Sequence, residues 1–263
     1  MKLESLISFL EELAPISFQD SYDNSGLILG SKNADISNVL VCLDVDDDAL
    51  DHAIEQHCQM ILSHHPVIFG GIKSFAEGSE EGDIVIKAIK NDLVLYGCHT
   101  NFDSTSGGLS DLLCKKLGIE NIQVLEEKFS LQFKEKHGNG RFGDIDPMSG
   151  EAFLDIVKSR LSLDVIRYVG QIPEKVSRVA VYNGSYDSNI LEKLVSLNPI
   201  ILVTGDLKYH AAQELRHKGI FTIDAGHYGT EKLFVEEMSK LLEARFPELT
   251  VIRYEGKDVF TYY

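Results

Sequence analysis

"PIILVTGDLKYHAAQELRHKGIFTIDAGHYGTE" (residues 199–231) reads as strand, helix, strand and the entry to a further helix. The first run, "PIILVTGD", is almost uninterruptedly apolar, as a strand buried on both faces of a sheet is. "KYHAAQELRHKG" (208–219) follows as a helix, and "IFTIDAGHYGTE" (220–231) as a strand leading into "KLFVEEMSKLLEARF". Upstream, "RVAVYNG" (178–184) and "SNILEKLVSLN" (188–198) supply another strand and helix. Such alternation predicts parallel strands covered by helices.

The same order occurs earlier in the chain. "NVLVCLDV" (38–45) reads as a strand, "DDALDHAIEQHC" as a helix and "QMILSHHP" (59–66) as a strand. "DIVIKAIKNDL" is then a helix, "VLYGCHTNFD" (94–103) a strand, and "GLSDLLCKKLG" a helix. The expected fold class is therefore α/β: two similar α/β halves with mostly parallel sheets covered by helices. The boundary falls between 120 and 150, giving halves 1–126 and 127–263. The segment 225–263, whose end "LTVIRYEGKDVFTYY" reads as one or two strands, is a candidate to pack back on the first half.

The length, 263 residues, allows a sizeable core. No apolar stretch approaches the roughly 18 residues of a membrane span, and the acidic amphipathic N-terminus does not look like a signal peptide. The expected compartment is the cytoplasm. A net charge of −16 argues against broad nucleic-acid binding, which needs clustered Lys and Arg. Cys42, Cys58, Cys98 and Cys114 form no CxxC pair and read as reduced, buried thiols.

Ligands of open α/β sheets bind at the carboxyl ends of strands, and polar residues collect there in both halves. The first offers His64, His65, His99 and Asp103; the second offers Asp206, His210, His227 and Glu231. His99 and Asp103 are four apart, as are His227 and Glu231. If a helix begins near Tyr228, Glu231 lies in its first turn at the positive end of the dipole. His64, His65, Asp103, His227 and Glu231 make a nitrogen and oxygen donor set without thiolate, suited to zinc, iron or manganese. Five ligands exceed one tetrahedral site, which implies two divalent metal ions sharing Asp103 as a bridge. His64 and His65 then take one metal each, or place one residue in each shell.

Plainer readings compete with each feature. An HH pair can be a surface or capping pair, HxxxE an ordinary helical pair, and Asp103 a cap for the helix after "STSGG". Asp206 and His210 suit proton transfer or ligand orientation beside the metals, or else a helix cap. With His99 they are the candidate catalytic residues. "GNGRFG" (138–143) matches GxGxxG but lacks the strand–turn–helix setting, so it reads as a turn. "DVDDD" (44–48) lacks the EF-hand spacing and reads as a helix cap.

The blocks "YDNSGLILG" (22–30), "SHHPVIFGGIKSF" (63–75), "HTNFDSTSGGLSDLL" (99–113), "GNGRFGD" (138–144), "TGDLKYHAA" (204–212) and "DAGHYGTE" (224–231) resemble the GTP cyclohydrolase 1 type 2 family, also called Ngg-interacting-factor-3-like. The resemblance runs in order over nearly the whole chain. It implies two α/β halves with a dinuclear metal centre between them and a ring-like homohexamer. The family's ligands fall on His64, His65, Asp103, His227 and Glu231. The segment 127–150 is too short for the extra domain some members carry. The family name further implies a small-molecule substrate, GTP or another nucleotide, whose guanine imidazole ring is opened by metal-activated water. Lys73, Arg141 and Lys208 are the nearest candidates to grip its phosphates. Two other readings share the same centre: a hydrolase of another phosphorylated or amide substrate, and a non-catalytic metal-handling or regulatory scaffold.

Overall fold

The computed structural model describes residues 1–71, 74–129 and 136–262. In chain order the elements begin with α1 (Leu3–Leu13), β1 (Gly26–Leu29), β2 (Asn38–Cys42), α2 (Asp47–Glu55), β3 (Met60–Ser63), α3 (Glu80–Lys90) and β4 (Val94–Gly97). There follow α4 (Thr100–Ser104), α5 (Leu109–Leu117), β5 (Glu120–Lys128), β6 (His137–Met148), α6 (Gly150–Arg160), β7 (Arg167–Val169) and β8 (Val176–Ser185). The last are α7 (Leu191–Leu197), β9 (Ile201–Gly205), α8 (Tyr209–His217), β10 (Phe221–Asp224), α9 (His227–Glu231), α10 (Leu233–Arg245) and β11 (Thr250–Tyr254).

The chain divides into two compact units, one of Met1–Thr105 with Phe234–Lys257, the other of Ser106–Leu233 with Asp258–Tyr263. The division thus runs earlier in the chain than residue 126. The reason is α5, whose Leu113, Cys114 and Leu117 pack with Val179, Val181 and Ile201 of the second sheet.

The first unit holds a five-stranded sheet of order β1-β4-β3-β2-β11. β2, β3, β4 and β11 are parallel, and β1 runs antiparallel on the edge. Alternate residues serve opposite faces: Leu40, Cys42, Ile61 and Leu95 pack under α2 and α3 against Ala49, Leu50, Ala53 and Ala88. The intervening Val39, Val41, Met60, Leu62, Val94 and Tyr96 are buried on the other face.

The second unit holds a six-stranded sheet of order β5-β6-β8-β9-β10-β7. Its centre, β8-β9-β10, is parallel. The flanks are antiparallel, with the β5–β6 hairpin on one side and β7 on the other. Val179, Val181, Ile201, Val203 and Ile223 pack on α5 and α6. Ala180, Tyr182 and Leu202 pack on the opposite face with Leu191, Leu194 and Leu215 of α7 and α8. Burial on both faces explains the continuous apolar runs. All four cysteines are free and buried. Among the described residues no helix is long and apolar enough to cross a membrane.

Candidate metal centre

In the first unit the donors grow from three adjacent parallel strand ends. Cys42, Ser63 and Gly97 lie in register across β2, β3 and β4. Two residues beyond each of them come Asp44, His65 and His99. The ladder continues past the strands: the amides of His64 and His65 donate to the carbonyls of Cys42 and Leu43 at 3.1 and 3.0 Å, and that of Cys98 to Ser63 at 2.8 Å. Rigid ladder pairing therefore fixes the histidine backbones.

Each ring is then oriented through Nδ1. His64 Nδ1 donates to the Cys98 carbonyl at 2.9 Å. A carbonyl only accepts, so Nδ1 carries the hydrogen and Nε2 presents its lone pair. His65 Nδ1 lies 2.7 Å from Asp44 Oδ1, and His99 Nδ1 lies 2.9 Å from Asp23 Oδ1. Burial pushes the Asp23 carboxyl up, but hydrogen bonds and charge from His99, with bonds from Thr100 and Ser25, hold it well below the usual carboxylate range. Asp23 is thus an ionised acceptor that keeps the proton on His99 Nδ1. Such oxygen partners set the tautomer and aim of metal-binding imidazoles.

His64, His65 and His99 each offer a ring nitrogen within 4.8 Å of the other two. Asp103 sits inside α4, its amide donating to the His99 carbonyl at 3.1 Å. Its Oδ1 is 3.7 Å from His64 Nε2. It is not a cap for α5, whose N-cap is Gly108. Phe234 closes the floor, its ring 5.0 Å from that of His64. On the open side Tyr22 and Phe69 stack with centroids 6.1 Å apart, and Phe69 lies 5.3 Å from the His99 ring. The three imidazoles together could hold a metal ion, and Asp103 adds a carboxylate beside His64.

The second unit repeats the device. Thr204 of β9 and Asp224 of β10 are in register, so Asp206 and Gly226 leave the sheet level with one another. Asp206 adopts φ +45°, and its Oδ2 meets His227 Nδ1 at 2.8 Å. Asp tolerates that left-handed backbone better than most residues. His227 Nε2 faces Glu231 Oε2 at 2.9 Å. α9 runs from His227 to Glu231, and Lys232, itself in helical conformation, leads on to α10. Glu231 Oε1 accepts from the buried Asn183 Nδ2 at 3.1 Å.

His210 is exposed on α8, its Nδ1 3.2 Å from Gln213 Oε1. Arg141 is only 2% exposed and is paired with Asp111, so it does not present a guanidinium to a phosphate. Lys208 is exposed at the N-cap of α8. Lys73 lies outside the described residues. Sequence reasoning missed Asp23, Asp44 and Asn183. Asp44 was legible as an acid two residues past a strand, like the histidines, but the acidic run around it suggested only a cap, the role Asp46 fills for α2.

A family model described as Duf34/NIF3 (NGG1p interacting factor 3) matches residues 1–258. A Clostridium acetobutylicum protein called GTP cyclohydrolase 1 type 2 homolog is 33% identical over 252 residues, covering 95% of this chain and 93% of that one. A Streptococcus pneumoniae protein of the same name is also 33% identical, covering 92% and 90%. Among solved structures, a Staphylococcus aureus protein described as hypothetical superimposes with a TM-score of 0.91 at 28% identity, covering 100% and 99%.

Proposed function

The chain belongs to the Duf34/NIF3 family, and on that premise we propose that it is a dinuclear metal-dependent hydrolase that opens the imidazole ring of a purine nucleotide. GTP, the substrate in its relatives' names, is the specific candidate. The ligands in this reading are the five donors expected from the sequence, His64, His65, Asp103, His227 and Glu231.

The observation that carries this reading is the repeated Nδ1 device. Four imidazoles, His64, His65, His99 and His227, have Nδ1 held by an oxygen. That is how proteins prepare Nε2 for a metal, whereas a packing histidine has no need of it. Bound divalent ions would supply an activated water and charge for a developing oxyanion. The chain's own residues bind, orient and exclude. Asp23, Asp44 and Asp206 hold the ring protons at Nδ1. His99, 8% exposed and fixed by Asp23, is placed to bind metal or to move a proton. The exposed Tyr22–Phe69 pair beside it offers a flat face to a planar heterocycle. Burial and the neighbouring Asp20, Asp23 and Asp103 push the Tyr22 phenol up, so it stays neutral.

A second reading keeps the same centre and changes the substrate. Among the described residues expected to grip a triphosphate, Arg141 is buried against Asp111 and Lys208 alone is exposed, which favours a less highly charged substrate. The test is metal content of protein purified without chelator, for wild type and Asp103→Ala, followed by formate detection on incubation with GTP. About two ions per chain, fewer in the variant, and metal-dependent formate support the first reading. Metal without formate supports the second, or a metal-handling scaffold. No metal after reconstitution overturns all three.

A further inference from the structure

We propose that Ser110 and Asn183 form a positioning relay that makes Glu231 a one-oxygen metal ligand. The inference rests on the reading of Glu231 as a ligand and adds how its two oxygens divide their work.

Oε1 and Oε2 of Glu231 have different neighbours. Oε2 faces His227 Nε2 at 2.9 Å. Oε1 accepts from Asn183 Nδ2 at 3.1 Å. The orientation of the Asn183 amide is itself determined, because its Oδ1 accepts from the Ser110 hydroxyl at 2.6 Å. A carboxylate can only accept, so the amide must turn its nitrogen to Glu231 and its oxygen to the donor, Ser110. All three residues are buried, so no exposed solvent competes for these bonds.

Two further features hold the relay in place. Gly184 has φ +65°, and a Cβ there would stand 2.3 Å from Glu231 Oε1. The backbone thus closes directly behind that oxygen. Ser110 rides on the first turn of α5, whose next residue, Asp111, is paired with the buried Arg141. Arg141 Nη1 donates to the carbonyls of Gly138 and Gly140 at 2.7 and 2.9 Å. The "GNGRFG" segment is therefore an anchor for the helix that carries Ser110.

With Oε1 held by Asn183, Oε2 is the oxygen Glu231 would offer to a bound metal ion, and a position that a chelating carboxylate would fill would be left for water or substrate. Asn183 is a positioning residue: it touches the ligand, not the reacting atoms.

The test is zinc affinity, by competition with a chromophoric chelator, for wild type, Asn183→Leu, Asn183→Asp and Ser110→Ala, with the melting temperature of each metal-free protein. Asn183→Leu keeps the side chain's shape without its donor, and Asn183→Asp replaces the donor with an acceptor. Both are expected to weaken zinc binding by about 10–100-fold and, because they leave buried groups of Ser110 and Glu231 unsatisfied, to lower the metal-free melting temperature as well; Ser110→Ala should do each by less. In cobalt-loaded Asn183→Leu the d–d absorption should weaken as Glu231 takes up two-oxygen binding. If Asn183→Leu does not fold, Ser110→Ala carries the same comparison. Zinc affinity and cobalt spectra equal to wild type in the variants would overturn the relay alone. No zinc uptake by wild type would overturn the ligand reading and the relay with it.

Discussion

His65 Nδ1 stands 2.7 Å from Asp44 Oδ1, and these residues are 21 apart in the chain. In the second unit His227 Nδ1 stands 2.8 Å from Asp206 Oδ2, also 21 apart. In each case the aspartate follows one parallel strand, the histidine follows the next, and a single helix crosses between them. The equal spacing is what a repeated strand–helix–strand unit produces when the same carboxylate–imidazole pair is kept at both strand ends.

The pairing predicts parallel effects in the two units. Asp44→Ala and Asp206→Ala should each weaken zinc binding by about 10–100-fold, because a ring released at Nδ1 can change tautomer and rotate. Both carboxylates are exposed, so neither change should lower the urea midpoint of the metal-free protein appreciably. Chelator competition and urea unfolding on the same samples check both halves of the expectation.

Asp23 differs because its side chain is buried and accepts from His99 Nδ1, Ser25 Oγ and Thr100 Oγ1. Asp23→Ala removes the acceptor from five donors at once, these three and the amides of Asn24 and Thr100. It should cost both metal affinity and about 1–3 kcal/mol of stability for the donors left unsatisfied. Urea unfolding of the metal-free variant separates it from Asp44→Ala, and unchanged stability would show that Asp23 is dispensable to the fold.

Much of this was legible from the chain because parallel strands write their identity as continuous apolar runs. "QMILSHHP" and "VLYGCHTNFD" placed His64, His65 and His99 just past neighbouring strand ends, whereas the second strand stops at Gly97 and Asp103 sits inside α4. The hairpin of β5 and β6 was not legible: "ENIQVLEEK" mixes charge with isolated apolar residues, and only its pairing with β6 makes it a strand. Asp206 and His210, one turn apart in the sequence, were both expected beside the metals. α8 starts only at Tyr209, however, and Asp206 lies before it with a left-handed backbone, so the spacing is not that of one helix face. Asp23 could not be paired with His99 from sequence, since the two are 76 residues apart and meet through β1 packing antiparallel to β4.

The aromatic pair at the open side predicts a binding effect distinct from metal loss. Tyr22→Ala or Phe69→Ala should raise KM for a planar heterocyclic substrate by roughly 2–10-fold, the equivalent of about 0.5–1.5 kcal/mol of stacking. Zinc content should stay at the wild-type level, since neither side chain is a donor. A fall in kcat with unchanged KM would place the pair outside substrate binding.

Alkaline pH should unfold the protein through its thiols and phenols. Burial pushes the Cys58 thiol up to about 11 and Cys114 up to about 12. Burial, then Glu214 and Asp187, pushes the Tyr186 phenol up to about 12. In the unfolded chain these groups ionise near 8.5 for Cys and 10 for Tyr. A folded value above the unfolded one means that the native state holds its protons longer, so stability is full below about pH 8 and falls as pH rises toward 12. Urea midpoints at pH 7, 9 and 10.5 should decline in that order, and Cys114→Ala should flatten the decline while lowering the midpoint at pH 7 by leaving a small cavity in the α5 core.

Arg141 offers the sharpest contrast between a structural and a substrate-binding cation. Its guanidinium is buried, paired with Asp111, and bonded to the carbonyls of Gly138 and Gly140. Arg141→Ala leaves a carboxylate and two carbonyls facing a cavity, so it should destabilise the protein by about 3–5 kcal/mol. Replacing both members, Arg141→Met with Asp111→Leu, removes the unpaired charge and should recover a good part of that loss. Urea unfolding of wild type, the single variant and the double variant measures the difference. A phosphate-gripping arginine would give the opposite pattern: stability near wild type in Arg141→Ala, a raised KM for a nucleotide triphosphate, and no recovery in the double variant.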